Sequence, residues 1–212
     1  MPPPFARPPR GPEKRYDRAY FEHWYRRADS RIHVRSAVER KVAIALASAE
    51  YLLGRRVRDV LDVGCGEAPW RAILKRLRPG LRYQGVDGSP YAVQRFGRSR
   101  QIVLGRFGAL EQLELRGPYD LVVVSDMLHY VPTAEARRGL AAVSRLMAGV
   151  AWIEVFTSAD SFTGDHREFQ RRSPAQYRRL FREAGLVHCG NYAFVGERLA
   201  HTLTAFEQGQ RT

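Results

Sequence analysis

The stretch Val60-Leu61-Asp62-Val63-Gly64-Cys65-Gly66 constrains this chain more than any other. Val60, Leu61 and Val63 make a short apolar run suited to a buried strand, and two glycines stand where that strand must end. Lacking Cβ atoms, Gly64 and Gly66 permit a sharp turn and a close approach of backbone to a ligand. A helix over residues 69–77 follows, stopped by Pro79-Gly80, and a second strand over residues 83–86 finishes at Asp87. A carboxylate at that strand end can accept hydrogen bonds from both hydroxyls of a ribose. Strand, bend, helix, strand and acid together form a nucleoside-binding unit of an open α/β sheet.

The alternation continues downstream. Ser89-Pro90 gives a cap and a first-turn proline to a helix that Gly97 closes. Residues 102–104 form a third strand and 121–124 a fourth. A helix over 133–146, stopped by Gly149, leads to a fifth strand over 150–156. Ser173-Pro174-Ala175-Gln176 opens another helix with a capping box; Tyr177, Leu180, Phe181 and Ala184 point inward, and Gly185 ends it. Segments 186–195 and 199–206 are joined too tightly for a helix between them and are expected to pair as an antiparallel hairpin. The whole predicts a doubly wound, mostly parallel α/β sheet with helices on both faces.

Before this core, residues 1–15 are rich in Pro and Arg and read as a disordered tail. Residues 16–35 carry Tyr16, Tyr20, Phe21, Trp24 and Tyr25 at offsets that share one helical face. The core domain is expected over 36–212. It begins with a Ser36–Glu39 capping box and an apolar stripe of Val38, Val42, Ala45, Ala49 and Leu52 that ends at Gly54.

Composition narrows the partner. The 212 residues carry a formal charge of +13, but the basic residues are nearly all Arg and spread along the chain, with Lys only at 14, 41 and 75. Scattered charge usually marks a solvated surface, so a nucleic acid is the minority reading. Two cysteines argue against a disulfide framework, and charges interrupt every apolar run, which points to a cytoplasmic protein without a membrane span. No His, Asp or Glu cluster has metal-ligand spacing. The sequence leaves the oligomeric state open.

A dinucleotide requires a third glycine and an open helix N-terminus for its pyrophosphate. Pro69 occupies that glycine's place, and Glu67 sets a negative charge beside it. S-adenosylmethionine (SAM) has no phosphate and carries an ammonium and a sulfonium, so nearby acids help it. Val60 to Gly66 resembles the first motif of class I SAM-dependent methyltransferases, and Tyr83-Gln84-Gly85-Val86-Asp87-Gly88-Ser89 resembles their second. Tyr119 to Ser125 and Asp126 to Val131 resemble the fourth strand and its loop, so the likeness extends over residues 36–206.

The resemblance implies a Rossmann-like seven-stranded sheet whose last inserted strand is antiparallel, with SAM as methyl donor and S-adenosylhomocysteine (SAH) as product. It also implies that Asp62, Gly64 and Gly66 line the methionine portion, with Ser125 nearby. Asp87 would hold the ribose, and Gly88 and Ser89 would lie beside the adenosine. The acid that many members place after the third strand is missing from Gly105-Arg106-Phe107-Gly108-Ala109, so backbone atoms of Phe107, Gly108 and Ala109 are expected at the adenine.

The acceptor is expected to be a small molecule, since no added recognition domain is visible and no Asn-Pro-Pro-Tyr or Asp-Pro-Pro-Tyr follows the fourth strand. An RNA or protein methyltransferase and a catalytically silent SAM-binding protein are the alternatives. His129 is the candidate general base, because an imidazole titrates near neutrality; a structural histidine of the loop is the alternative. Asp126, Glu154, His166 and the loop 157–169 are further candidates at the acceptor side. Segment 16–35 is similar to lid segments of the family, with Tyr20 and Trp24 expected at the cofactor.

Overall fold

A computed structural model describes residues 14–27 and 34–209. Seven strands form one sheet in the order β3-β2-β1-β4-β5-β7-β6. These are β1 (Asp59–Val63), β2 (Arg82–Asp87), β3 (Ile102–Leu104), β4 (Tyr119–Ser125), β5 (Met147–Glu154), β6 (Leu186–His188) and β7 (Ala193–Gly196). β1 to β5 pair in parallel, and β7 inserts antiparallel between β5 and β6. The expected architecture is the one observed.

Alternation along each strand explains the two-sided core. Val60, Leu121 and Val123 face a cluster with Val42, Ala45, Leu46 and Ala49 of helix α2 (Arg35–Leu53) and with Trp70 and Leu74 of α3 (Pro69–Leu77). Leu61, Val63, Val122 and Val124 face the opposite cluster, built from α5 (Thr133–Leu146) and α6 (Pro174–Glu183). Both layers leave the carboxyl ends of β1, β2, β4 and β5 open at one edge. Chain reversal between β1 and β4 makes that edge the natural site for a ligand.

Several local expectations need correction. Helix α2 starts at Arg35 after Val34, and Ser36 makes no cap; Glu39 instead pairs with Arg35 and Arg76. Helix α4 (Pro90–Arg100) is capped by Ser89 as expected but runs through Gly97 to a left-handed Gln101. A side chain at Gly97 would come within 3.0 Å of the Ile102 carbonyl, so this glycine serves helix–strand packing. Helix α5 passes directly into β5, and Gly149 lies within that strand, where a Cβ would strike the Asp120 carbonyl.

The C-terminal hairpin forms between β6 and β7, both inside segment 186–195 and its next residue, with a left-handed Gly190 and Asn191 between them. Residues 199–206 are not a strand: they belong to α7 (Glu197–Ala200) and the turns that follow. Periodicity alone could not separate one strand from two very short ones. Residues 1–13 and 28–33, from the expected tail and aromatic segment, lie outside the described residues. Lys14, assigned to the tail by composition, is buried.

Candidate active site

Two adjoining cavities open at the carboxyl edge of the sheet. The larger, of about 760 Å³, is built on the bend after β1. Gly64 and Gly66 adopt φ of 71° and 54°, the left-handed region that glycine enters without penalty. A Cβ on Gly64 would lie 2.6 Å from Met127, and one on Gly66 would lie 2.5 Å from the Tyr25 hydroxyl. The Gly66 N–H donates to Asp87 Oδ2 at 2.6 Å, and the Ser89 N–H donates to Oδ1 at 2.8 Å. Bend and acid are thus joined directly. Burial raises the Asp87 carboxyl above its usual range, and these two N–H bonds oppose the rise.

Gly88 and Ser89 also line this cleft, with Ser89 capping α4 through the Ala92 N–H at 3.1 Å. Of the three residues expected at the adenine end, only Phe107 lines it, beside Gly105 and Arg106. Gly108 packs on Glu135 and its carbonyl accepts from Arg138, while the Ala109 N–H turns back to the Arg106 carbonyl. This wall of the cleft is therefore residues 105–107, shifted toward β3 from the expected 107–109, because a 3₁₀ turn (Phe107–Gln112) carries the chain away.

The second cavity, of about 190 Å³, meets the first at Gly64, Asp126, Tyr20, Tyr25 and Tyr130. Asp62 and Ser125, expected near the methionine, line this second cavity. Asp62 accepts from the Tyr83 hydroxyl at 2.7 Å; burial raises its carboxyl to about 7 against that hydrogen bond. Lys41 of α2 reaches over the ends of β4 and β5, 3.2 Å from Asp126 Oδ2 and 2.7 Å from Glu154 Oε1. The Ser125 hydroxyl donates to Glu154 Oε2 at 2.6 Å. Burial opposes the Lys41 charge, but the two carboxylates prevail and hold its ammonium above the usual lysine range.

His129 lines the same cavity and is 1% exposed. Its ring stands 4.3 Å from Tyr130, 5.4 Å from Phe156 and 5.9 Å from Phe162, centroid to centroid. Burial, then the charges of Lys14 and Arg172, lower the imidazole to about 4. The Phe156 N–H donates to Nδ1 at 3.4 Å, which assigns the ring proton to Nε2. Nε2 can therefore donate into the cavity but cannot take a proton there, which does not suit a general base.

Residues 14–27 cross the mouth of both cavities. α1 (Arg18–Phe21) continues into a π-helical turn, and Phe21 stacks on Tyr91 of α4 at 5.6 Å. Tyr20 lines both cavities, as does Tyr25. Trp24, expected at the cofactor, lines neither and packs edge-on against His23. The π-helical register places Tyr25 inward instead. Lys14 fastens this segment to the loop before α6: its Nζ is 3.0 Å from Asp165 and 3.6 Å from the Tyr130 ring centre, and its N–H donates to Glu168. Arg26 pairs with Glu67 at 2.6 Å on the other side.

Sequence reasoning missed Lys14, Lys41, Tyr25 and Met127. A signal existed for the two lysines. Lys is rare in this Arg-rich chain, and two of its three occurrences stand at the cleft. Among the described residues no group of three His, Cys, Asp or Glu is placed to hold a metal ion, and no helix is long and apolar enough to cross a membrane.

Comparison with known proteins agrees with this architecture. The methyltransferase-domain family matches residues 20–203. No curated protein matches the sequence. A SAM-dependent methyltransferase from Archaeoglobus fulgidus superposes with a TM-score of 0.59 at 17% identity, over 79% of this chain and 73% of that one. The plantazolicin methyltransferase BamL, solved with a triazolic desmethylPZN analog and SAH, gives 0.59 at 14%, over 72% and 66%. NcsB1, an O-methyltransferase from neocarzinostatin biosynthesis solved with SAH and 1,4-dihydroxy-2-naphthoic acid, gives 0.53 at 19%, over 76% and 56%. The chain thus covers just under two thirds of the second enzyme and little more than half of the third. At these identities the likeness is one of fold. With a glycine bend bonded to a strand-end acid, and with the family matched over most of its length, the chain belongs to the methyltransferase-domain family and has the fold of class I SAM-dependent methyltransferases.

Proposed function

We propose that this chain transfers a methyl group from SAM to a small-molecule acceptor by in-line displacement. The observation that carries the reading is the meeting of two cavities of unequal size at Gly64, Asp126 and three tyrosines. The larger suits the adenosine of the donor; the smaller suits the donor's methionine end on its Asp62 and Ser125 side and the reacting end of an acceptor on its His129 and Phe156 side. When bound, SAM supplies an activated methyl on a sulfonium. The chain's own residues must then bind, align and keep out water.

The larger cavity fits such a donor chemically. Asp87 spends one lone pair of each oxygen on a backbone N–H, which leaves both oxygens able to accept from a ribose diol. Gly88 and Ser89 would flank the adenosine, and residues 105–107 its base. Asp62 and Ser125 would lie near the methionine end, where the net positive charge of the donor favours carboxylates. Tyr20 and Tyr25 would cover the junction, where electron-rich rings favour a sulfonium. In this reading residues 14–27 act as the lid, held shut by Lys14 and Arg26. His129 presents its Nε2–H as a positioning donor.

Relatives of similar fold point the same way for the acceptor: BamL was solved with a small-molecule analog and NcsB1 with a dihydroxynaphthoic acid. Incubation with methyl-labelled SAM and separate small-molecule, RNA and protein fractions tests the reading. Label is expected in the small-molecule fraction. Label confined to RNA or protein would overturn it.

A further inference from the structure

We infer that Lys41 and Glu154 are positioning residues for the methyl donor: they commit the Ser125 hydroxyl to accept, so that it takes a hydrogen bond from the ammonium of the donor's methionine end. This rests on the donor assignment just proposed.

A serine hydroxyl alone is ambivalent. It carries one proton and two lone pairs, and can serve a hydrogen-bond donor or an acceptor. Ser125 ends β4 and lines the smaller cavity together with Asp62. Its partner across the parallel pair is Glu154, the last residue of β5. That register sets both side chains on one face of the sheet, and the hydroxyl donates to Glu154 Oε2 at 2.6 Å. With its proton so used, Oγ has only lone pairs left for the cavity. The methionine end of SAM brings one ammonium and one carboxylate, and only the ammonium can give Ser125 a hydrogen bond.

Lys41 fixes the other side of the arrangement. Glu154 is 5% exposed, and a carboxylate so enclosed needs a partner. The Lys41 Nζ stands 2.7 Å from Oε1, so Glu154 is held through both oxygens, by an ammonium and by a hydroxyl. The same Nζ lies 3.2 Å from Asp126 Oδ2, just after Ser125, and the Asp126 N–H donates to the Glu154 carbonyl at 3.2 Å. One lysine of α2 thereby ties the ends of β4 and β5 together. Without Lys41, Glu154 loses its anchor and is free to turn from Ser125. With Gln at 154, the amide can donate to Oγ. Either way the serine proton is released toward the cavity, where it meets the ammonium donor to donor.

Calorimetry on the full chain with SAH and with 5′-methylthioadenosine, which keeps the adenosine and the sulfur but lacks the amino-acid end, tests the inference. Glu154→Gln and Lys41→Met are each expected to weaken SAH about tenfold and to leave 5′-methylthioadenosine unchanged. On a Ser125→Ala background neither change should cost more than about twofold, because the group they act through is gone. Equal losses for both ligands would mean a merely structural role and overturn the inference, as would unchanged SAH affinity in Glu154→Gln. A tenfold loss that persists on Ser125→Ala would put Lys41 or Glu154 in direct contact with the donor and overturn it too. Failure of the unaltered chain to bind either ligand would instead strike the donor assignment beneath it.

Discussion

Replacing Asp62 by Asn and His129 by Gln should tilt the pH dependence of stability in opposite directions. Asp62 has its carboxyl near 7 in the fold, against about 3.9 in an unfolded chain. Between those values the native state holds a proton that the unfolded chain lacks, so this group makes stability fall as pH rises. His129 sits near 4 in the fold against about 6.5 unfolded. There the unfolded chain holds the extra proton, so stability rises with pH. Each contributes about 1.4 kcal/mol per pH unit at most, and in the unaltered chain the two slopes nearly cancel between roughly pH 4 and 6.5. Asp62→Asn removes the falling slope and leaves a rising one. His129→Gln leaves a falling one. The two variants should therefore diverge by about 2 kcal/mol per pH unit, after some allowance for local relaxation. Both groups are almost wholly buried, so solvent screening removes little of this. Urea unfolding followed by tryptophan fluorescence at several pH values reads the slopes, and packing losses shift each curve without tilting it. Parallel curves for all three proteins would refute the idea that both groups sit where their charged forms are disfavoured.

Three further outcomes follow from the same geometry. Arg172 is buried and donates to the Leu128 and Val131 carbonyls, to Thr133 and to Tyr177, so Arg172→Ala should cost about 3 kcal/mol or more in a urea titration; a loss under about 1 kcal/mol would contradict it. Gly66→Ala demands a left-handed alanine and a Cβ against the Tyr25 hydroxyl, so trypsin should cleave after Arg26 faster than in the unaltered chain, with a stability loss of about 1–2 kcal/mol; an unchanged cleavage pattern would show that residues 14–27 do not rest on the bend. Lys14→Ala removes the ion pair to Asp165 and the contact with Tyr130, and should speed SAH dissociation about fivefold in stopped-flow, a loss of about 1 kcal/mol; an unaltered rate would remove Lys14 from the proposed lid.

The parts of the fold legible in the sequence were those fixed by local chemistry. Ser89-Pro90 and Ser173-Pro174 cap their helices because a hydroxyl and a proline satisfy or dispense with first-turn N–H groups wherever they occur. The Gly64–Gly66 bend and Asp87 were legible because strand periodicity placed them at two neighbouring strand ends. Gly97 and Gly149 were misread as stops, since their reason for being glycine lies across space, in Ile102 and Asp120. Lys41 belongs to a helix remote in sequence from β4 and β5, and only packing of α2 on the sheet brings its ammonium to Asp126 and Glu154. Trp24 and Tyr25 exchanged places because a π-helical turn changes which residue faces inward, and propensity carries no signal for that. His129 sat where the loop motif put it, but the rings around it, contributed by residues 130 to 169, set its charge.

The central claim is that Asp87, joined to Gly66 and Ser89, grips the ribose of an adenosine-bearing cofactor. Calorimetric titration of SAH into the unaltered chain and into Asp87→Ala tests it most directly. Measurable binding by the first and at least tenfold weaker binding by the second, a loss of about 1.4 kcal/mol, is the predicted result. Equal dissociation constants for the two proteins would contradict it.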